Sequence, residues 1–337
     1  MRSLQTFSTR KHRWLFWLLL CLLTLGAALW SLAAGAVSLS PAQIFSALSR
    51  PNTASTAAKI VRYSRLPRTC ASLLAGAALA VSGAVIQTVL HNPLASPGII
   101  GVNSSAGFAV ALVCAIAPLS QRYVPLIAFS GALLGALLVV GLSQRTRASR
   151  TTVVLAGVAV SNLLSAGIDA VVTLVPDALN GVSDFRIGGF SGVSMARLAP
   201  AAGLILVSLL LVFSLSRQLD VLALGSDTAQ SLGLSVRPVR FVLLALAAAL
   251  AGAAVSFSGL LGFVGLIIPN AMRRLVGENS LPLLVGSALG GAFFVTVCDL
   301  MARTAFAPFE LPVGIVLAFI GAPFFLWLLF RQKGGRV

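Results

Sequence analysis

The chain has 337 residues, of which 58% are hydrophobic and only 9% charged, with a mean hydropathy of +0.99. Soluble domains carry about a quarter charged residues; a chain this apolar cannot cover a water-facing surface and takes the bilayer as its solvent. A net charge of +16 would point a soluble protein to nucleic acid, but here the basic residues sit between apolar runs, where they act as topology signals and contacts to membrane lipid, so nucleic acid is excluded as a partner.

Apolar runs separated by polar or Gly/Pro breaks predict helices over 14–36, 69–90, 97–117, 123–142, 152–174, 199–215, 238–257, 262–275, 281–302 and 309–330. At roughly 20 residues per crossing, the expected fold is all-α, a polytopic membrane protein of about ten transmembrane helices in one domain, 1–337, with no sizeable soluble domain at either end. The first run is too long for the apolar core of a signal peptide and follows basic residues, so 1–13 is read as a cytoplasmic tail before a retained helix. The eighth run is short for a full crossing and reads as a broken or tilted helix starting from the loop SGLLG.

Lysine and arginine set the orientation. Clusters at Arg2–Arg13, Arg145–Arg150, Arg217–Arg240, Arg273–Arg274 and Arg331–Arg336 fall on one side of an even number of spans, which places that side, and both termini, in the cytoplasm. The loop between the first two spans breaks the rule: Arg50, Lys59, Arg62, Arg65 and Arg68 fall outside. GALLG (131–135) and GSALG (286–290) read as small-residue contacts within the bundle. LAVSGAVIQTVLHNP (79–93) and VSFSGLLGFVGLIIPN (255–270) each run from Ser-Gly to a Pro/Asn pair, a faint repeat of inverted orientation, the kind of pair that flanks a substrate path.

No GxxxxGK[ST] occurs, so the chain has no P-loop for ATP. HExxH and GxSxG are absent too, which argues against an intramembrane enzyme. Cys21, Cys70, Cys114 and Cys298 are scattered without metal or redox spacing. Only Asp169, Asp299 and Glu310 lie in or beside spans, too few for a typical ion-coupled carrier. Asp299 reads as a partner for Arg303.

Two polar stretches remain. In HNPLASPGIIG (91–101), Asn92-Pro93 ends a helix and Pro97 suits the first turn of the next; the bare residues fit either a packed reversal or an ordinary loop. In DVLALGSDTAQSLGLSVRPVR (220–240), Ser226 can cap a short helix that Gly233 ends; it fits either a handle for a cytoplasmic partner or a solvated linker.

With RLPR (65–68), GAALAVSGAVIQTVLHNPLASPGIIGV (76–102), LAG (155–157), LGSDTAQSLGL (224–234), SGLLGFVGLIIPNAMRRLVG (258–277), DLMAR (299–303) and ELPVGIVLAFIGAPFF (310–325), the chain resembles the permease family of bacterial ABC importers for iron-siderophores, haem and vitamin B12. The resemblance implies a vitamin B12 importer permease-like fold in the bacterial inner membrane. It implies a homodimer, or a heterodimer with a paralogue, around a central path for a metal chelate, and no catalytic residue, metal or cofactor of the chain's own. Two cytoplasmic ATPase subunits would bind ATP and Mg, and a periplasmic or lipid-anchored substrate-binding protein would deliver the cargo. By match, Asn92, Pro93 and Leu94 form a cytoplasmic gate with Thr151 and Thr152; Arg65, Arg68 and Arg303 receive the binding protein. The segment 216–237, with Gly225, Ser226, Asp227, Ala229, Leu232 and Gly233, couples to the ATPase. The chain departs from the family pattern at His91, where arginine is usual, at Asn270, where histidine is usual, and at Phe185 and Ser96.

Overall fold

The computed structural model describes residues 10–35, 37, 39–49, 55–117, 122–145, 150–307 and 309–333, and among these every regular element is helical. In chain order the helices are α1 (Arg10–Ala33), α2 (Pro41–Ser49), α3 (Thr56–Ile60), α4 (Leu66–Leu90), α5 (Val102–Ile116), α6 (Val124–Arg145), α7 (Arg150–Leu174), α8 (Leu179–Ile187), α9 (Met195–Ser214), α10 (Ser216–Ala223), α11 (Ser226–Ser231), α12 (Val236–Ser258), α13 (Val264–Val276), α14 (Ser280–Thr304) and α15 (Val313–Lys333).

Each of the ten apolar runs contains one of these helices. Among the described residues seven helices are long and apolar enough to cross a membrane, and α5 and α15 carry shorter apolar stretches. At 13 residues α13 spans only about 20 Å, against the roughly 30 Å of a hydrocarbon core. It is the broken helix that the loop SGLLG signals: α12 stops at Ser258, the chain reverses through Gly259 (φ 66°) and Phe263 (φ 66°), and α13 starts back into the bundle.

Several elements differ from the sequence expectation. The third run opens not as helix but as a 3₁₀ turn, Pro97–Ile100, and α5 begins only after Gly101 (φ 84°). In the basic loop between the first two spans, α2 and α3 precede a π turn at Val61–Arg65 that feeds α4 without a break. α8 lies in a polar stretch with no apolar period to announce it. Of the basic tail 1–13, residues 1–9 lie outside the described residues, and Arg10–Arg13 already belong to α1.

The core is organised around α4, which is buried on all sides against α14, α12 and α13. A helix apolar all round suits a bundle interior or lipid alike, and it is the small residues of α4 that let its neighbours close over it. α4 reaches its neighbours at backbone contact distance. A Cβ at Gly76 would sit 2.1 Å from the Gly291 carbonyl oxygen of α14, and one at Gly83 would sit 1.9 Å from that of Gly265 in α13. Gly131 and Gly135 of α6 do the same against Ser105 of α5, so GALLG packs inside the bundle. The peripheral helices α1 and α7 keep long apolar faces outward, such as Leu18, Leu22, Leu155 and Leu163.

Gly83→Ala is expected to force α4 and α13 apart and lower stability by about 1–3 kcal/mol. Gly203→Ala in α9, where nothing lies within 4 Å of the added methyl, should be neutral or slightly stabilising. Thermal unfolding of the two variants in detergent, side by side, checks this.

Candidate functional site

Two polar constellations interrupt the apolar bundle, one at each end of α4. The first is the reversal after Leu90. α4 is capped by His91 in the left-handed region (φ 49°, ψ 39°), whose N–H donates to the Thr88 carbonyl at 3.2 Å. Asn92 N–H closes onto the Gln87 carbonyl at 3.0 Å, Leu94 N–H donates to the Asn92 side-chain Oδ1 at 2.9 Å, and Ala95 N–H donates to the Asn92 carbonyl at 3.1 Å. This is an Asx turn locked onto a helix end. Pro93 supplies no donor, and none is missing.

The turn is also gripped from outside. Asn270 of α13 donates Nδ2 to the Pro93 carbonyl at 2.8 Å and to the Leu266 carbonyl at 2.7 Å. Gln87 donates Nε2 to the Gly265 carbonyl at 3.1 Å and accepts at Oε1 from Arg273 at 3.1 Å. The two Pro/Asn pairs of the internal repeat, Asn92-Pro93 and Pro269-Asn270, are thus joined, whereas the Ser-Gly pairs are not: Gly83 packs on Gly265, and Gly259 on Phe185 and Gly188. The reversal is a packed element, not an ordinary loop. Asn270 entered the sequence reading only as part of the repeat and as a departure from the family pattern, and Gln87 not at all; a lone glutamine inside an apolar run is the signal that could have found it.

The N-terminal half of α7 abuts the same reversal: a Cβ at Gly157 would sit 1.9 Å from the Ile99 carbonyl oxygen. Thr151 and Thr152 begin α7, and their side chains lie outside the described residues.

The polar insert lies at this end too. It forms two short helices rather than one. α10 buries Leu219 and Leu222 beneath it, and Asp220 Oδ1 accepts from the Ser280 N–H at 2.7 Å, capping the start of α14. Gly225 (φ 107°) and Gly233 (φ 84°) bound α11, each in a backbone conformation that suits glycine. Ser226 does not cap α11. It occupies the first helical position, with Gly225 as N-cap, and its hydroxyl accepts from Arg240 Nη2 at 2.9 Å. Ala229 is fully buried, Asp227 faces out, and Leu224 and Leu232 are 62% and 63% exposed.

The second constellation brings Arg65, Arg68 and Arg303 together at the opposite end, but inside the protein. All three are buried. Arg68 donates Nε to both oxygens of Asp299 at 3.0 and 3.1 Å, Nη2 pairs with Asp299 Oδ1 at 3.0 Å, and Nη1 pairs with Glu310 at 2.6 Å. Arg303 lies one turn along α14 from Asp299, 3.7 Å away, and donates Nη2 to the carbonyl and hydroxyl of Ser31, both at 2.6 Å. Arg65 donates to the carbonyls of Leu32, Ala33 and Val37, covering the open C-terminal end of α1, where a cation suits both the free carbonyls and the helix dipole. In this structure their donors are turned inward, and they tie α1, α4, α14 and the segment before α15 into one unit. Asp299 does pair with Arg303, and pairs more fully with Arg68.

Among the described residues no group of three His, Cys, Asp or Glu is placed to hold a metal. A cleft of about 330 Å³ opens between α5, α8 and the end of α12, lined by Asp184, Phe185, Arg197 and Ser258 among others. That volume is at the small end of ligand pockets.

Asp299→Asn removes the negative centre of the arginine cluster. Because Glu310 still holds Arg68, the expected loss is about 3 kcal/mol, the lower end for breaking a buried pair, read as a lower unfolding midpoint in detergent. Asn270→Asp puts an acceptor against two carbonyls and is expected to slow transport more than Asn270→Ala, which only removes the donor; uptake rates at equal membrane levels check the order.

Residues 21–331 match the FecCD transport family. The chain is 40% identical over 321 residues to an iron(3+)-hydroxamate import system permease protein of Bacillus subtilis, covering 94% of this chain and 83% of the relative. It is 37% identical over 326 residues to a hemin transport system permease protein of Yersinia pestis (95% of each chain) and 40% identical over 330 residues to a vitamin B12 import system permease protein of Shigella sonnei (96% of each chain). A solved inward-facing conformation of a metal-chelate type ABC transporter superposes with a TM-score of 0.81 at 31% identity, covering 93% of this chain and 97% of that one. On sequence and fold together, the chain belongs to the FecCD transport family.

Proposed function

We propose that the chain is the membrane-spanning permease subunit of an ATP-binding-cassette importer in a bacterial inner membrane, carrying a ferric siderophore or a related metal chelate into the cytoplasm. Haem and cobalamin are the alternative cargoes, since relatives carrying each name match over nearly their full length. Hydrolysis of ATP, with Mg, belongs to a separate ATPase.

The observation that carries this reading is the surface of segment 216–237. A polar insert that exposes Leu224 and Leu232 around a buried Ala229 offers apolar anchors at a solvent-facing edge, the feature of a docking handle rather than a solvated linker. It stands beside the Asn92–Leu94 reversal, so a partner gripping it acts next to the gate. With 216–237 in the cytoplasm and each of the ten apolar runs taken as one crossing, both termini are cytoplasmic in this reading. Thr151 and Thr152, at the start of α7, complete the gate in this reading.

In this reading the chelate passes along a path between two copies, or between this chain and a paralogue. At the opposite end a binding protein would meet exposed Lys59, Tyr63 and half-exposed Glu310 first. Arg65, Arg68 and Arg303 serve that surface indirectly, by holding its shape.

Uptake in a deletion strain tests the reading: labelled iron offered as several siderophores, beside labelled haem and labelled cobalamin. Loss of one cargo, dependent on ATP and insensitive to an uncoupler at held ATP, is expected and identifies the substrate. Uptake that followed the proton gradient would replace the ATPase-driven reading with that of a standalone carrier.

A further inference from the structure

The reversal at Asn92–Leu94 is held from two sides, and one of them is the segment assigned above to a motor. His91 Nε2 lies 3.2 Å from the carbonyl oxygen of Ala223, the last residue of α10 and two residues before the Gly225 that opens α11. A carbonyl only accepts, so the imidazole donates through a protonated Nε2. The contact bridges 132 positions of sequence.

His91 is an odd residue for its place. The left-handed cap of a helix favours glycine, and a side chain there is disfavoured. His91 and Phe263 are the non-glycine residues with positive φ among the described residues. A conformation of this kind persists where surrounding structure over-determines it, and such residues cluster at functional sites.

We infer that His91 is a positioning residue that ties the partner-facing segment to the gate turn, so that displacement of α10 and α11 draws Asn92–Leu94 with it. The inference rests on the reading of 216–237 as the ATPase contact. The turn can transmit such a pull because it is a locked unit: four hydrogen bonds join His91, Asn92, Leu94 and Ala95 to each other and to the last turn of α4. α10 can deliver it because α10 is seated on buried Leu219 and Leu222 and fixed to α14 through Asp220. On the far side the Asn270–Pro93 bond makes the turn move with α13. The gate turn is therefore the joint between the half-helix α13 and the motor-facing α10.

The test uses the complete importer in liposomes, permease with its ATPase and binding protein, and measures cargo carried per ATP hydrolysed. His91→Gly removes the imidazole while easing the cap, so the fold is kept and its unfolding midpoint should not fall. Its cargo-to-ATP ratio is expected to drop about fivefold, the factor one neutral hydrogen bond is worth. His91→Gln places an amide donor at the reach of Nε2 and should restore the ratio. An unchanged ratio in His91→Gly, or an equal loss in both variants, overturns the tie. Wild-type permease that brings down no ATPase would sink the motor reading and the tie with it, a failure visible before any variant is made.

Discussion

Everything else in the molecule depends on how closely α4 approaches its neighbours. At Gly76 and Gly83 the backbone of α4 lies against the backbone of α14 and α13, with no room for a single methyl group. Lipid tails are as apolar as leucine, so burying apolar surface does not by itself drive helices together in a membrane; close van der Waals packing and buried polar contacts do. Glycine at the crossing points lets both act at once. It brings the helices near enough for Gln87 to reach the Gly265 carbonyl and for Ser72 and Thr296 to share a hydrogen bond at 2.9 Å.

The polar groups are distributed to match. Between the ends, α4 is almost wholly apolar and small. Formal charge gathers at one end, where Arg68 and Arg303 flank Asp299 and the carbonyls of α1 receive Arg65. At the other, single hydrogen bonds around Asn92, Asn270 and His91 hold the reversal, and the charged groups Arg273, Arg240 and Asp220 bond uncharged partners rather than each other. The difference is physical. A buried charge cluster resists disturbance, since removing one partner strands the others. Single amide hydrogen bonds are each worth only about 1 kcal/mol net, so they exchange partners at smaller cost. A rigid end and an adjustable end suit a protein that must open at one place without coming apart.

The broken helix α13 belongs to the adjustable end. Being shorter than the hydrocarbon core, it relies on α4, α14 and α15 to cover its ends, and its Pro269-Asn270 pair faces the corresponding pair after α4. Discontinuous helices at mid-membrane depth recur where substrate paths pass, because irregular backbone is tolerated only beside protein or water.

Much of this could be read from the residues alone. Membrane embedding, the all-helical class, the positions of the long helices, the break before α13 and the reversal at Asn92-Pro93 are local properties. They follow from transfer of apolar side chains and from the backbone limits of proline and glycine, which need no knowledge of neighbours. The direction of Arg65, Arg68 and Arg303 was not legible in that way, because a run of arginines beside a span reads alike whether it meets solvent or a buried aspartate 231 positions away. The same holds for Ser226, which sits inside α11 bonded to Arg240 instead of at the cap, and for the grip of Asn270 on Pro93 and of His91 on Ala223. The sequence by itself determined where the chain is helical and that lipid surrounds it; only the tertiary structure decided which polar groups find each other, because those partners lie far apart along the chain and helix packing alone brings them within hydrogen-bond reach.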